Sequence, residues 1–151
     1  SDAHLAELKA LFSEMGNTVV TISPDSKALY HAAAVMVSNQ IVALADMSTA
    51  LLVKCGFSEA AAAEALSPLL LGNAQSVAEK GAVNALTGPI ERGDAQTVSK
   101  HLQEIRKFAA ESTVGQDILT AYTALSKQLI RIARQKHPHK DYKHLEKELE
   151  Q

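Results

Sequence analysis

A mainly α fold, a helical bundle around one long central helix at about 26–55, is predicted by three observations. Ser26 to Cys55 is rich in Ala and Leu and contains neither Gly nor Pro. Further segments on both sides repeat apolar residues at helical spacing. Only one run, Thr18-Val19-Val20-Thr21-Ile22, has the β-branched composition of a strand.

The long helix would extend roughly 45 Å at the α-helical rise, far beyond the usual 10–14 residues of a globular helix. An apolar rod of that kind is a central element for shorter helices to pack against. Pro24 suits its first turn, with Ser23 or Asp25 as cap. Gly56 and Phe57 stop it in the manner of a left-handed C-terminal cap.

Ahead of it, residues 2–15 form an amphipathic helix with Leu5, Leu8, Leu11, Phe12 and Met15 on one stripe. Ser1 or Asp2 can cap its start, and Gly16 can end it. The β-branched run follows. One strand cannot satisfy its own backbone donors and acceptors, so it needs a sheet from elsewhere. Residues 2–22 are therefore expected to be a helix–strand remnant of a truncated α/β domain. A strand paired across a homodimer, or an extended linker, are the alternatives. The division expected is 1–23 from that domain and 24–151 as an all-helical unit.

Beyond the long helix, Ser58 caps the next segment, which Pro68 should kink or divide near Ala65 to Ser67; Gly72 permits a second bend, and Gly81 should close it. Gly88-Pro89 and Gly93 then fix a shaped turn, and Asp94 caps a helix over about Ala95–Ala110. Val98, Leu102, Ile105 and Phe108 or Ala109 share one face of that helix. Ser112 opens another, with Val114, Ile118, Ala121, Leu125, Leu129 and Ile132 as its stripe. In the tail, Tyr142, Leu145 and Leu149 keep helical spacing among Lys and Glu.

Composition narrows the function classes. With 151 residues, 46% hydrophobic, the chain can bury a sizeable core. Fifteen basic against seventeen acidic residues leave a net charge of −2. No cationic excess is available to hold nucleic acid or an anionic membrane. Asn39 and Asp46 interrupt the long helix, so no membrane span is expected. The single cysteine, Cys55, excludes an internal disulfide, fits a cytoplasmic location and is expected in the core. His137, His139 and His144 cluster in the tail without a Cys or carboxylate pattern to complete a metal site, so no metal is expected.

The residues able to carry chemistry begin with His31, Asn39 and Asp46. Spacings of eight and seven place them within one broad helical face, drifting by ~80° and then ~−20°. One reading makes this a polar patch beside a substrate or nicotinamide, with His31 as proton donor and Asn39 orienting a carbonyl or hydroxyl. The other makes His31 a helix-end residue, Asn39 a loop cap and Asp46 a solvated charge. The Thr87-Gly88-Pro89 turn could present the N–H groups of Gly88 and Ile90 to a ligand, or simply join two helices. Tyr122 lies on an apolar stripe, with its hydroxyl at a rim. There is no Gly-x-Gly-x-x-Gly and no Walker loop.

Tyr30-His31-Ala32-Ala33-Ala34-Val35 with Ser38-Asn39 resembles the first signature of a helical domain family of unknown function. Ala85-Leu86-Thr87-Gly88-Pro89-Ile90, then Arg92-Gly93-Asp94, Thr97-Val98 and His101-Leu102, is similar to its second. The resemblance covers roughly 16–129. It implies a domain that follows a Rossmann-like NAD(P)-binding domain, with Gly16 and the run before Pro24 as the last sheet element of that domain. More distantly the arrangement resembles the C-terminal domains of ketopantoate reductase, 3-hydroxyisobutyrate and 6-phosphogluconate dehydrogenases and pyrroline-5-carboxylate reductase.

The resemblance implies an oxidoreductase domain that contributes substrate-site residues and a homodimer interface, with NADP or NAD bound mainly by the other domain. It implies catalytic roles for His31 and Asn39, and substrate contacts from Tyr30, Ser38, Asp46, Thr87, Gly88 and Tyr122. Several of those enzymes place a Lys one helical turn from the Asn. If Asn39 is that Asn, the Lys position holds Val35, which cannot donate a proton, and His31 is the substitute. A non-catalytic helical dimerisation or interaction module is the rival reading, since an Ala-rich helix allows close, symmetric helix approach.

Overall fold

Capping chemistry sets the ends of most helices. The computed structural model describes residues 2–150, which hold helices α1 (Asp2–Glu14), α2 (Lys27–Lys54), α3 (Glu59–Ala85), α4 (Pro89–Arg92), α5 (Ala95–Glu111), α6 (Thr113–Lys136) and α7 (Lys143–Glu150). The cap expected from Ser1 or the Asp2 side chain lies outside the described residues. A 3₁₀ turn, Pro24–Ser26, leads into α2. At the end of α2, Gly56 takes a φ of 95°, and the Phe57 N–H donates to the Leu52 carbonyl at 3.1 Å. That reversed bond satisfies a carbonyl the helix would otherwise leave open. Ser58, Asp94 and Ser112 cap α3, α5 and α6 as expected, each accepting a backbone N–H three residues on at 3.0–3.2 Å.

Three expectations are corrected. No residue from Asn17 to Ser23 is in a strand, and no strand occurs among the described residues. The β-branched run stays irregular because a strand needs a hydrogen-bonded neighbour, and none is paired with it among the described residues. Pro68 does not divide α3; the helix continues through it on an exposed turn, where water can reach the carbonyl left without a donor. The break comes at Gly81, the expected end of the segment, whose φ of 73° and ψ of 163° suit a residue without Cβ. Pro24–Lys54 is also long and apolar enough to cross a membrane by length and composition alone, despite Asn39 and Asp46.

Chain contacts divide the protein into Ser1–Ala43 and Leu44–Gln151. In the first unit no described residue is fully buried. The α1 stripe is exposed, from Leu5 at 44% to Met15 at 68%, and on α2 Leu29 and Val37 are more than three-quarters exposed.

The second unit holds the core. Its central element is α6, which packs most extensively on α5 and also meets α3, α4 and α7. Val98 and Leu102 from α5, Ile130 and Ala133 from α6, and Tyr142, Leu145 and Leu149 at and within α7 are almost wholly buried together. Thus the long helix is present at its expected length, but none of its residues is fully buried. Apolar burial, at about 25 cal/mol per Å², is concentrated in the C-terminal helices. Cys55, expected in the core, is exposed.

Polar contacts tie the α4 turn to the C-terminal region. The Glu91 carboxylate meets His137 Nε2 at 2.5 Å and Lys136 Nζ at 3.6 Å. The Glu91 carbonyl accepts the Tyr142 hydroxyl at 3.0 Å, and Lys136 donates to the Leu86 carbonyl at 2.7 Å. The His137 hydrogen bond, with Lys136 adding charge attraction, holds the Glu91 carboxyl below its ordinary value of 4.5 against the opposing effect of burial. A folded-state pKa below the unfolded one means that the unfolded chain binds more protons as the pH drops. The stabilisation is therefore fully present above about 4.5 and is lost as pH falls through the depressed value. Asp94, lowered mainly by its hydrogen bonds from Thr97, acts in the same direction. Urea denaturation from pH 7 to pH 3 should show Glu91→Gln flattening the acid loss of stability without abolishing it; an unchanged slope would contradict this.

Candidate functional site

The helix periodicities of α6 carry more apolar surface than one core contact needs. Ile118, Ile130 and Ala133 are buried in packing, while Ala121, Leu125 and Leu129 lie on a neighbouring stripe. The stripe expected to be core is, over Ile118, Ala121, Leu125 and Leu129, one wall of a half-open cavity of about 350 Å³. Leu44, Met47 and Leu51 form another wall from the C-terminal part of α2. Thr87, Pro89 and Ile90 line it from the turn into α4. Its size falls in the range of small-molecule sites.

Few polar groups enter this apolar lining. His101 comes from α5 and Tyr122 from α6; His101 Nδ1 and the Tyr122 hydroxyl are 2.9 Å apart, and the rings meet edge to face at 85°. Ser126, one turn beyond Tyr122, also lines the cavity and is buried. Burial pushes the Tyr122 hydroxyl above its ordinary 10, with the Ser126 hydroxyl opposing in part. The phenol therefore keeps its proton at neutral pH and remains a donor. The lining contains no Lys, Arg, Asp or Glu.

The sequence-predicted residues distribute over several places. Thr87 and Tyr122 share the cavity, and Gly88 adjoins them in the turn. Gly88 has a φ of 97° and its carbonyl accepts the Arg92 N–H at 3.1 Å, so its clearest role is to shape the start of α4. Asp46 lines a separate half-open cavity of about 380 Å³ with Thr49, Val53 and Phe108. Tyr30, His31, Ser38 and Asn39 belong to the first unit, where all four are exposed on α2. There Ser38 donates to the Ala34 carbonyl at 2.7 Å and to Asn39 Oδ1 at 3.0 Å.

His101 and Ser126 are the residues that sequence reasoning left out of the site. His101 sits in the second signature, but its partner is twenty-one residues away on another helix, beyond any local spacing rule. Ser126 carries a weak signal, a hydroxyl four residues after Tyr122 on the same helical face. Among the described residues, no three or more His, Cys, Asp and Glu side chains come together as a metal site would need.

No curated protein and no solved structure matches this chain. A family model does match it over residues 1–129, from α1 through the whole cavity-lining part of α6. The chain belongs to that family, described as a domain of unknown function, DUF2520.

Proposed function

We propose that this chain is the helical substrate-binding and dimerisation domain of a cytoplasmic NAD(P)-dependent oxidoreductase. The observation that carries the reading is the apolar cavity with the Tyr122–His101 pair in its lining, bordered by Thr87 from the second sequence signature. Such a lining suits recognition of a small organic molecule and the orientation of its reacting group.

The cofactor itself does not fit this cavity. A dinucleotide needs cations or a glycine-rich helix start for its pyrophosphate. The lining has no Lys or Arg, and the chain has no Gly-x-Gly-x-x-Gly. In this reading other residues, on a Rossmann-like domain, hold NADP or NAD, while His31 and Asn39 contribute to proton handling and orientation. Calorimetric titration of NADP into the 151-residue chain should show no micromolar binding, whereas the full-length gene product should bind it. Micromolar binding to this chain alone, or none to the full-length product, would count against the proposal.

The second reading is a non-catalytic dimerisation or interaction module. It is favoured by the apolar side chains exposed along α2, including Leu29, Met36 and Val37. Large exposed apolar surfaces commonly mark partner sites. Dimerisation is common to both readings; loss of turnover in full-length His31→Ala or Asn39→Ala variants with dimerisation intact separates them.

A further inference from the structure

We infer that the cavity of the second unit binds neutral, largely apolar molecules through a single oxygen, and serves both a carbonyl and its corresponding hydroxyl. This rests on the substrate-site reading above and names the substrate class.

The charge of the lining sets the first part. A carboxylate or phosphate placed among Met47, Leu51, Ile118 and Leu129 would lose hydration with no Lys or Arg in the lining to replace it. A neutral oxygen has a far smaller desolvation cost, which one or two hydrogen bonds can offset.

The Tyr122–His101 pair sets the second part. Each group can donate or accept, and a separation of 2.9 Å gives them one proton to share in a hydrogen bond. When His101 carries its proton on Nδ1, it donates to the Tyr122 oxygen, and the phenol O–H is left to donate to a ligand carbonyl. When Nδ1 is unprotonated, Tyr122 donates to it, and the phenol oxygen accepts from a ligand hydroxyl. A change of imidazole tautomer thus adapts the same site to either partner of a carbonyl/alcohol couple. Burial holds the phenol proton in place, and the edge-to-face ring contact orients the two groups. His101 is itself exposed, so its Nε2 side can exchange protons with solvent during that change.

The test is an NMR titration of the full chain with 2-octanone, 2-octanol, octanoate and toluene, following the methyl groups of Ile118 and Leu129. The ketone and alcohol should bind with affinities within about threefold of each other, and octanoate at least about tenfold more weakly. Tyr122→Phe should weaken ketone and alcohol about tenfold while leaving toluene unchanged, the size expected for one hydrogen bond. Tyr122→Leu also removes the hydroxyl and gives the same comparison if Tyr122→Phe does not fold. Octanoate binding as tightly as the ketone would overturn the inference. So would unchanged ketone binding in both variants, no binding of any probe, or closure of the cavity by a second copy of the chain. Ketone binding without NAD(P)-dependent turnover by the full-length product would defeat the oxidoreductase reading alone. Turnover of a carboxylate that occupies this cavity would defeat only the neutral-ligand inference.

Discussion

Tyr142→Ala should destabilise the second unit by about 3–5 kcal/mol, the range for removing a large aromatic ring from a core. Tyr142 is 1% exposed and packs in one cluster with residues from α5, α6 and α7. The substitution also removes the hydroxyl that donates to the Glu91 carbonyl at 3.0 Å. Tyr142→Phe separates the two contributions. It keeps the ring and should cost about 0.5–1.5 kcal/mol, the net worth of one hydrogen bond. Chemical denaturation followed by circular dichroism measures both. A loss under about 1.5 kcal/mol for Tyr142→Ala would mean that α7 lies outside the cooperative unit, since a well-packed ring is worth more. The point matters because the family match ends at residue 129, whereas Ile130, Ala133, Tyr142, Leu145 and Leu149 complete the core.

Gly115→Ala should destabilise by about 1–3 kcal/mol, although Ala is the better helix former. A Cβ on Gly115 would lie 2.4 Å from the Phe108 carbonyl oxygen and 2.7 Å from the Ala109 nitrogen. Both are backbone atoms, so relief requires α5 and α6 to separate where they pack most extensively. The same shift would disturb the 3.0 Å bond from the Gly115 N–H to Ser112 Oγ that caps α6. Gly72→Ala is the control, since nothing lies within 4 Å of its added methyl. There the helix preference acts without a clash and should stabilise α3 by about 0.5–1 kcal/mol. Opposite signs for the two substitutions, read from denaturation midpoints, are the expected result. Matching signs would show that the α5–α6 approach is looser than described.

Local chemistry made much of this fold legible. The stops at Gly16 and Gly56 and the caps at Ser58, Asp94 and Ser112 depend on a few neighbouring residues, and they appear at the expected positions. The α5 face of Val98, Leu102 and Ile105 and the tail residues Tyr142, Leu145 and Leu149 are buried as their spacing suggested. Where local preference needed a distant partner, it did not suffice. Thr18–Ile22 has the composition of a strand and no strand to pair with, and Pro68 is absorbed by an exposed helix.

The candidate site divides along the same line. Tyr122 and Thr87 were identifiable as a hydroxyl on an apolar stripe and a residue of a shaped turn. Their association with His101 joins α4, α5 and α6, which no single-helix periodicity encodes. His31 and Asn39 show the converse: their spacing places them on a common face, yet both are exposed within this chain.

By itself, then, the sequence determined the helical class, most helix ends and which residues had to be apolar, because these follow from bonds and spacings within about one turn. Only the tertiary structure decided that α6 rather than α2 anchors the core, and that part of the α6 apolar stripe bounds a cavity. Packing is a relation between distant faces; an apolar face specifies that something should cover it, but not what.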